Sequence, residues 1–167
     1  MITALILANG APGALAATIA SLVPGVADGA IADAIVLVRG TPDAAHEALA
    51  DAAGADLVSL APGEDPWRAG AARARRDWLL LLESGDVPLE GFARPLERFA
   101  GSAPAAPEAL GRLRRADAGL VASLLARLGM EARRPRSGDL VHARHLEPGA
   151  RPRIARLAAT IAREAMP

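Results

Sequence analysis

The sequence predicts an α/β fold, a mostly parallel sheet covered by helices on both faces. Three features point there. Four short runs in the first hundred residues are apolar throughout rather than alternating, the pattern of strands buried on both faces. Between them lie segments with apolar residues at helical spacing, and Gly, Pro or Asp closes each run.

The first run, residues 2–8, stops at Asn9-Gly10-Ala11-Pro12-Gly13, a turn. Leu15, Ile19, Leu22 and Val23 then repeat as on a helix face, and Pro24-Gly25 is expected to end it. Residues 34–38 form the second strand, closed by Arg39-Gly40-Thr41-Pro42-Asp43. Asp43 is placed to cap a helix over 44–53, and Gly54 to terminate it. Residues 56–60 form the third strand, running into Ala61-Pro62-Gly63-Glu64-Asp65-Pro66, and 67–76 a short Ala/Arg helix. Residues 78–82 are the fourth, wholly apolar strand. This β-α-β-α-β-α-β order is Rossmann-like, and ligands of such sheets bind at the loops after the strands' carboxyl ends. Those loops are 9–13, 39–43, 61–65 and 83–88.

The second half is less regular. Residues 91–100 read as a helix with Phe92, Leu96 and Phe99 on one face, 101–107 as a linker, and 116–128 as an amphipathic helix. A strand is expected over 139–143 and a final helix over 152–165, with Ile154, Leu157, Ala158 and Ile161 on one side and several Arg on the other. The domain reading is a nucleotide-binding core over 1–100 and a helical segment over 101–167 packed on the same domain.

Composition narrows the function. The chain has 167 residues, 51% of them hydrophobic, enough for one domain with a real core. Its 19 basic residues, all Arg, balance 19 acidic ones, and aromatics make up 2%, so nucleic acid is not an expected partner. No Cys is present, which removes disulfides, thiolate metal sites and Cys nucleophiles and fits a reducing, cytoplasmic setting. No apolar stretch reaches the ~20 residues of a membrane span. The Arg-bearing final helix could rest on an anionic membrane surface or dock on the core; docking is the better reading, because its apolar face is narrow and lacks Trp and Phe.

Neither G-x-G-x-x-G nor a P-loop occurs, and Gly10 and Gly13 read first as turn residues. His46, His142 and His145 lack metal-ligand spacing. Glu83-Ser84-Gly85-Asp86 follows the most apolar strand, so two carboxylates stand at the ligand edge; they serve either a divalent cation or the turn itself.

In order and spacing, Ala14-Leu-Ala-Ala-Thr-Ile-Ala-Ser-Leu22, Ile35-Val-Leu-Val-Arg-Gly-Thr-Pro-Asp43 and Ala69-Gly-Ala-Ala-Arg-Ala-Arg-Arg-Asp-Trp-Leu-Leu-Leu-Leu82 resemble the nucleotide-binding half of family 2 glycosyltransferases of the GT-A fold. The resemblance covers roughly residues 1–100, and Ser137-Gly138-Asp139-Leu-Val-His-Ala-Arg144 echoes a G-D-Q-x-x-F-x-R-R acceptor-side segment. It implies a GT-A three-layer sandwich that transfers a sugar from a nucleotide-diphosphate donor to an acceptor hydroxyl, assisted by Mg²⁺ or Mn²⁺ and a carboxylate base. It assigns Gly10, Thr41, Asp43, Glu83 and Asp86 to the nucleotide-sugar, Glu83 and Asp86 to the metal, and Asp139 and Arg144 to the acceptor side.

The chain departs from that pattern in several places. Val38 stands where the family has an Asp, and Leu7 and Gly10 where it has Pro and Asn. Gly63-Glu64-Asp65-Pro66 replaces a basic Gly-rich loop, the second D-x-D carboxylate is displaced by one residue, and the E-D base segment has no counterpart. Two readings therefore stand: a small glycosyltransferase, or a non-catalytic relative acting as an interaction module that self-associates or binds a partner protein.

Overall fold

The computed structural model describes residues 1–102, 109–116 and 134–164. Its elements in chain order are β1 (Ile2–Ala8), α1 (Pro12–Ala27), β2 (Ile31–Arg39), α2 (Ala44–Ala53), β3 (Asp56–Leu60), α3 (Pro66–Arg73), β4 (Trp78–Glu83), β5 (Asp86–Pro88), α4 (Ala93–Ser102), β6 (Ala109–Arg115), β7 (Asp139–His142), a 3-10 turn (Ala143–Leu146) and β8 (Arg153–Arg163). All eight strands join one sheet in the order β3-β2-β1-β4-β7-β6-β8-β5. The pairs β2–β3, β1–β2, β1–β4 and β6–β8 are parallel, whereas β4–β7, β6–β7 and β5–β8 are antiparallel.

Each central strand feeds two cores because successive side chains leave opposite faces. Ile2, Ala4 and Ile6 of β1 join Leu80 and Leu82 of β4 in one cluster with Leu15 and Leu22 of α1 and Phe92. Leu5 and Leu7 join Leu79, Leu81, Ile35 and Leu37 in the other, against Trp67, Ala69 and Ala71 of α3. Three layers result, which is why these runs carry no polar alternation. At Gly70 an added Cβ would lie 2.8 Å from Leu5 Cδ1, so glycine sets how closely α3 seats on the sheet.

Helix α1 continues through Pro24 to Ala27 rather than ending there. Pro24 sits in the last turn and its carbonyl still accepts from Asp28 N–H at 2.9 Å. Helices α2 and α3 start on Asp43 and Asp65, whose side chains accept from His46 N–H and from the N–H groups of Trp67 and Arg68.

Among the described residues after α4, β7 lies where a strand was expected over 139–143, and a further strand replaces the expected final helix. The final segment, read as a helix over 152–165, is β8, hydrogen-bonded to β6 and β5. Leu157, Ala159 and Ile161 are buried with a period of two, a pattern that helical spacing of Ile154, Leu157, Ala158 and Ile161 obscures among alanines. An Arg-faced amphipathic helix for a membrane surface therefore does not exist there. Strands β5 and β6 had no sequence expectation; β6 (ALGRLRR) hides its strand character because its buried residues include Arg112. The helix expected over 116–128 and most of the 101–107 linker lie outside the described residues.

Thr3 is fully buried in β1, and its hydroxyl has no hydrogen-bond partner among the described residues. Thr3→Val keeps the shape and removes a desolvated hydroxyl, so it should stabilise the chain by about 1 kcal/mol, read as a higher urea midpoint at unchanged slope.

Candidate functional site

The strand order places a topological switch between β1 and β4: from β1 the chain steps one way to β2 and β3, then returns to the other side for β4. The crevice at the carboxyl ends of such a pair is where open α/β sheets bind ligands. Here it is a cleft of 240 Å³ lined by Asn9, Gly10, Ala14, Ser84, Gly85, Arg163 and Glu164. That is below the ~300–1,000 Å³ of small-molecule pockets, a size suited to one end of a ligand that extends over the surface. A larger hollow of 350 Å³ lies between the start of α3 and the 3-10 turn, beside Trp67, Arg68 and His145.

The cleft floor is the turn joining β4 to β5. Gly85 has φ +88°, and its N–H donates to Ala14 carbonyl (3.0 Å) and Thr18 Oγ1 (2.9 Å), tying the turn to the start of α1. Asn9 N–H donates to Ser84 Oγ at 3.3 Å, and Glu164 N–H donates to the Gly85 carbonyl at 2.7 Å. Arg163 and Glu164, at the end of β8, thereby form one wall. Gly85 holds the position that matches the second D-x-D carboxylate, and it offers no side chain. One residue later the side chain leaves the opposite face of the chain, and Asp86 points inward.

Asp86 is fully buried and its acceptor capacity is filled. Oδ1 accepts from Arg115 Nη1 (3.0 Å) and Arg163 Nη1 (3.3 Å); Oδ2 accepts from Glu83 N–H (2.9 Å) and the Ser137 hydroxyl. Burial alone would raise its pKa, but the Ser137 hydroxyl, the Glu83 N–H and Arg115 outweigh it and hold the carboxyl below its ordinary value. Glu83 is 32% exposed, and its Oε2 accepts from Arg163 Nη1 (3.3 Å) and Asn9 Nδ2 (3.4 Å). A carboxylate has about four lone-pair positions, so Asp86 keeps none for a metal. Among the described residues no three His, Asp or Glu side chains converge as a metal site. A divalent cation wanting six or more oxygens does not fit this donor set.

The remaining predicted residues are dispersed. Gly10 lines the cleft at φ +82°. Thr41 and Asp43 follow β2 on the same edge, with Asp43 Oδ1 bound to His46 N–H (2.9 Å) and Nδ1 (2.7 Å) as the cap of α2. Val38 is buried in the core. The acidic loop is satisfied locally: Glu64 Oε2 accepts from Ala61 N–H (2.8 Å), and Asp65 caps α3. Asp139, expected on the acceptor side, is fully buried and bound to Arg112 through both oxygens, at 2.7 and 2.8 Å. Burial raises its pKa against the pull of Arg112 and Arg136 N–H. Arg144 is exposed near the amino end of β4, where Trp78 pairs with His142, at the opposite edge from the cleft. Arg115, Ser137 and Arg163 organise the site, yet the sequence assigned Ser137 only to an acceptor-side segment and Arg163 only to the polar side of a helix, and it left Arg115 unassigned.

Strand order, three layers and switch-point cleft together define a GT-A glycosyltransferase fold. Solved structures agree. Glucosyl-3-phosphoglycerate synthase from Mycobacterium tuberculosis, in complex with Mn²⁺, UDP and phosphoglyceric acid, matches with TM-score 0.64 at 18% identity, over 100% of this chain and 72% of that one. The same synthase with Mn²⁺ and UDP-glucose matches with TM-score 0.64 at 22% identity, over 100% and 71%. A mycobacterial protein matches with TM-score 0.63 at 20% identity, over 100% and 68%. No protein-family model matches the chain, and no curated protein matches it in sequence.

Proposed function

We propose that this chain binds a nucleotide-diphosphate sugar at the β1/β4 cleft and transfers the sugar to an acceptor hydroxyl. One observation carries the reading: the cleft sits at the switch point of a GT-A sheet, at the carboxyl ends of β1 and β4. Gly10 and Gly85 bring backbone close to the diphosphate, while Thr41 and Asp43 border the nucleoside. In the transfer, the acceptor oxygen forms a bond to the anomeric carbon as the bond to the diphosphate oxygen breaks, and the nucleoside diphosphate leaves. Glu164, a residue of the cleft lining, supplies the carboxylate that takes the acceptor proton. A cytoplasmic location accompanies this reading, in keeping with a chain that has no Cys. Among the described residues, no helix is long and apolar enough to cross a membrane.

Calorimetric titration of the full chain with UDP, GDP and their sugar conjugates tests donor binding. Binding to one of them, together with slow release of the nucleoside diphosphate from its conjugate, is the expected result. Glu164→Gln should lower that release by about 10²-fold or more at unchanged nucleotide affinity. Absence of binding to every nucleotide would favour the second reading, a non-catalytic interaction module working as a homo-oligomer or with a partner protein. The saturation of Asp86 by two arginines favours that alternative.

A further inference from the structure

We propose that the Arg163 guanidinium is the built-in cation of this cleft, bridging Glu83 and Asp86 in place of a divalent metal and serving as the contact for the donor's phosphates. The inference rests on the donor-binding reading for its phosphate half. Its carboxylate half stands on geometry alone.

Charge and hydrogen bonding both support it. Arg163 Nη1 lies 3.3 Å from Glu83 Oε2 and 3.3 Å from Asp86 Oδ1, spanning the two carboxylates that the D-x-D resemblance assigns to a metal. Two carboxylates against Arg115 and Arg163 leave this group formally neutral. A divalent ion added there would meet two guanidinium groups and one already saturated carboxylate.

The two arginines differ in what they can still do. Arg115 is held by Asp86 at 3.0 Å and by the Ser137 carbonyl and hydroxyl at 3.2 and 3.3 Å, in the less exposed position. Arg163 is 39% exposed and lines the cleft, and among the described residues only its Nη1 is engaged. Its Nε lies 3.6 Å from where a Cβ on Gly85 would stand, an ordinary van der Waals separation, so the guanidinium lies directly over the turn. Nε and Nη2 form the planar edge that binds phosphate oxygens in bidentate fashion. An aspartate at Gly85, as the family pattern has it, would add the carboxylate a metal needs, but at φ +88° an L side chain is strained.

The test uses the full-length chain, Mn²⁺ and UDP or GDP as probes. In the first arm, electron paramagnetic resonance follows free Mn²⁺ on adding protein without nucleotide; the signal should not fall. Uptake of Mn²⁺ that Glu83→Gln abolishes would overturn the proposal whatever the nucleotides do. In the second arm, nucleotide affinity is measured in EDTA and in Mn²⁺. Equal affinity in both is expected, and Arg163→Ala should weaken binding by about tenfold to a hundredfold, with Arg163→Lys in between. Arg163→Lys also guards against a folding defect, and circular dichroism of both variants checks it. Nucleotide binding that Mn²⁺ tightens tenfold, or that Arg163→Ala leaves intact, would overturn the proposal while sparing the donor reading. Failure to bind any nucleotide would overturn the donor reading and with it Arg163's phosphate role.

Discussion

Asp86→Ala is expected to destabilise the chain by about 2–3 kcal/mol, because it removes a buried, charge-assisted hydrogen-bond hub while the arginines left behind are 28% and 39% exposed and can reach water. The carboxylate is 0% exposed and receives donors from four groups on four segments: Arg115 at the end of β6, Arg163 at the end of β8, Ser137 before β7 and the Glu83 N–H of β4. Removing it takes the shared carboxylate from Arg115 and Arg163 and weakens the tie between the β4–β5 turn and β6, while β8 stays paired with β5. Urea unfolding should show the midpoint falling. Asp86→Asn should fall less, because the amide keeps one acceptor oxygen.

The pH dependence of that loss follows from the sign of the shift. The folded carboxyl titrates below its ordinary value, so its stabilisation is fully present above the unfolded pKa, near ~3.9, and is lost as pH falls through the folded value. Wild type should therefore lose more stability than Asp86→Asn on acidification from about pH 5 downward. Parallel acid limbs in the two proteins would contradict the assignment of that stabilisation to Asp86.

Arg112→Ala is expected to cost more, about 3–5 kcal/mol, because both partners of its ion pair are buried. Arg112 and Asp139 are 5% and 0% exposed, joined bidentately between β6 and β7, which share only two paired positions. Truncating the arginine strands an unpaired carboxylate beneath the sheet. Replacing both partners by leucine removes both desolvation costs, so Arg112→Leu/Asp139→Leu should recover most of the loss or exceed wild type by about 1–4 kcal/mol. A double variant as unstable as the single one would mean the pair sets the β6–β7 register rather than merely neutralising itself. In either case nucleotide binding by the folded fraction should persist, because the pair lies away from the cleft lining.

Asp86 and Asp139 show why part of the site was legible in the chain and part was not. Both follow a glycine in a short polar turn, and both read as surface carboxylates offered to a ligand. In the fold each is buried against arginine from a strand that is distant in sequence: 29 and 77 residues away for Asp86, and 27 for Asp139. No local pattern announces such pairing, because arginine on an Ala-rich strand looks the same whether it faces solvent or a carboxylate. Glu83 and Gly10, by contrast, stand where an apolar run ends, and run ends are visible in one dimension. They lie at or beside the predicted edge.

The four apolar runs by themselves determined the first half of the molecule: β1 to β4 with α1 to α3 between them, and parallel pairing that brings the strands' carboxyl ends to one edge. Burial on both faces demands such runs, and little else produces them. In the second half the helix expected over 91–100 and the strand expected over 139–143 are present as α4 and β7, and tertiary structure decided β5, β6 and β8. Residues 153–163 carry apolar spacing that suits a helix, yet the open edges of β6 and β5 supply hydrogen bonds along both sides of an extended chain, and the segment became β8. That choice carried Arg163 to the cleft and filled Asp86 with guanidinium. Long-range backbone pairing thus determined the electrostatics of the site, through contacts that form only once distant strands share a sheet.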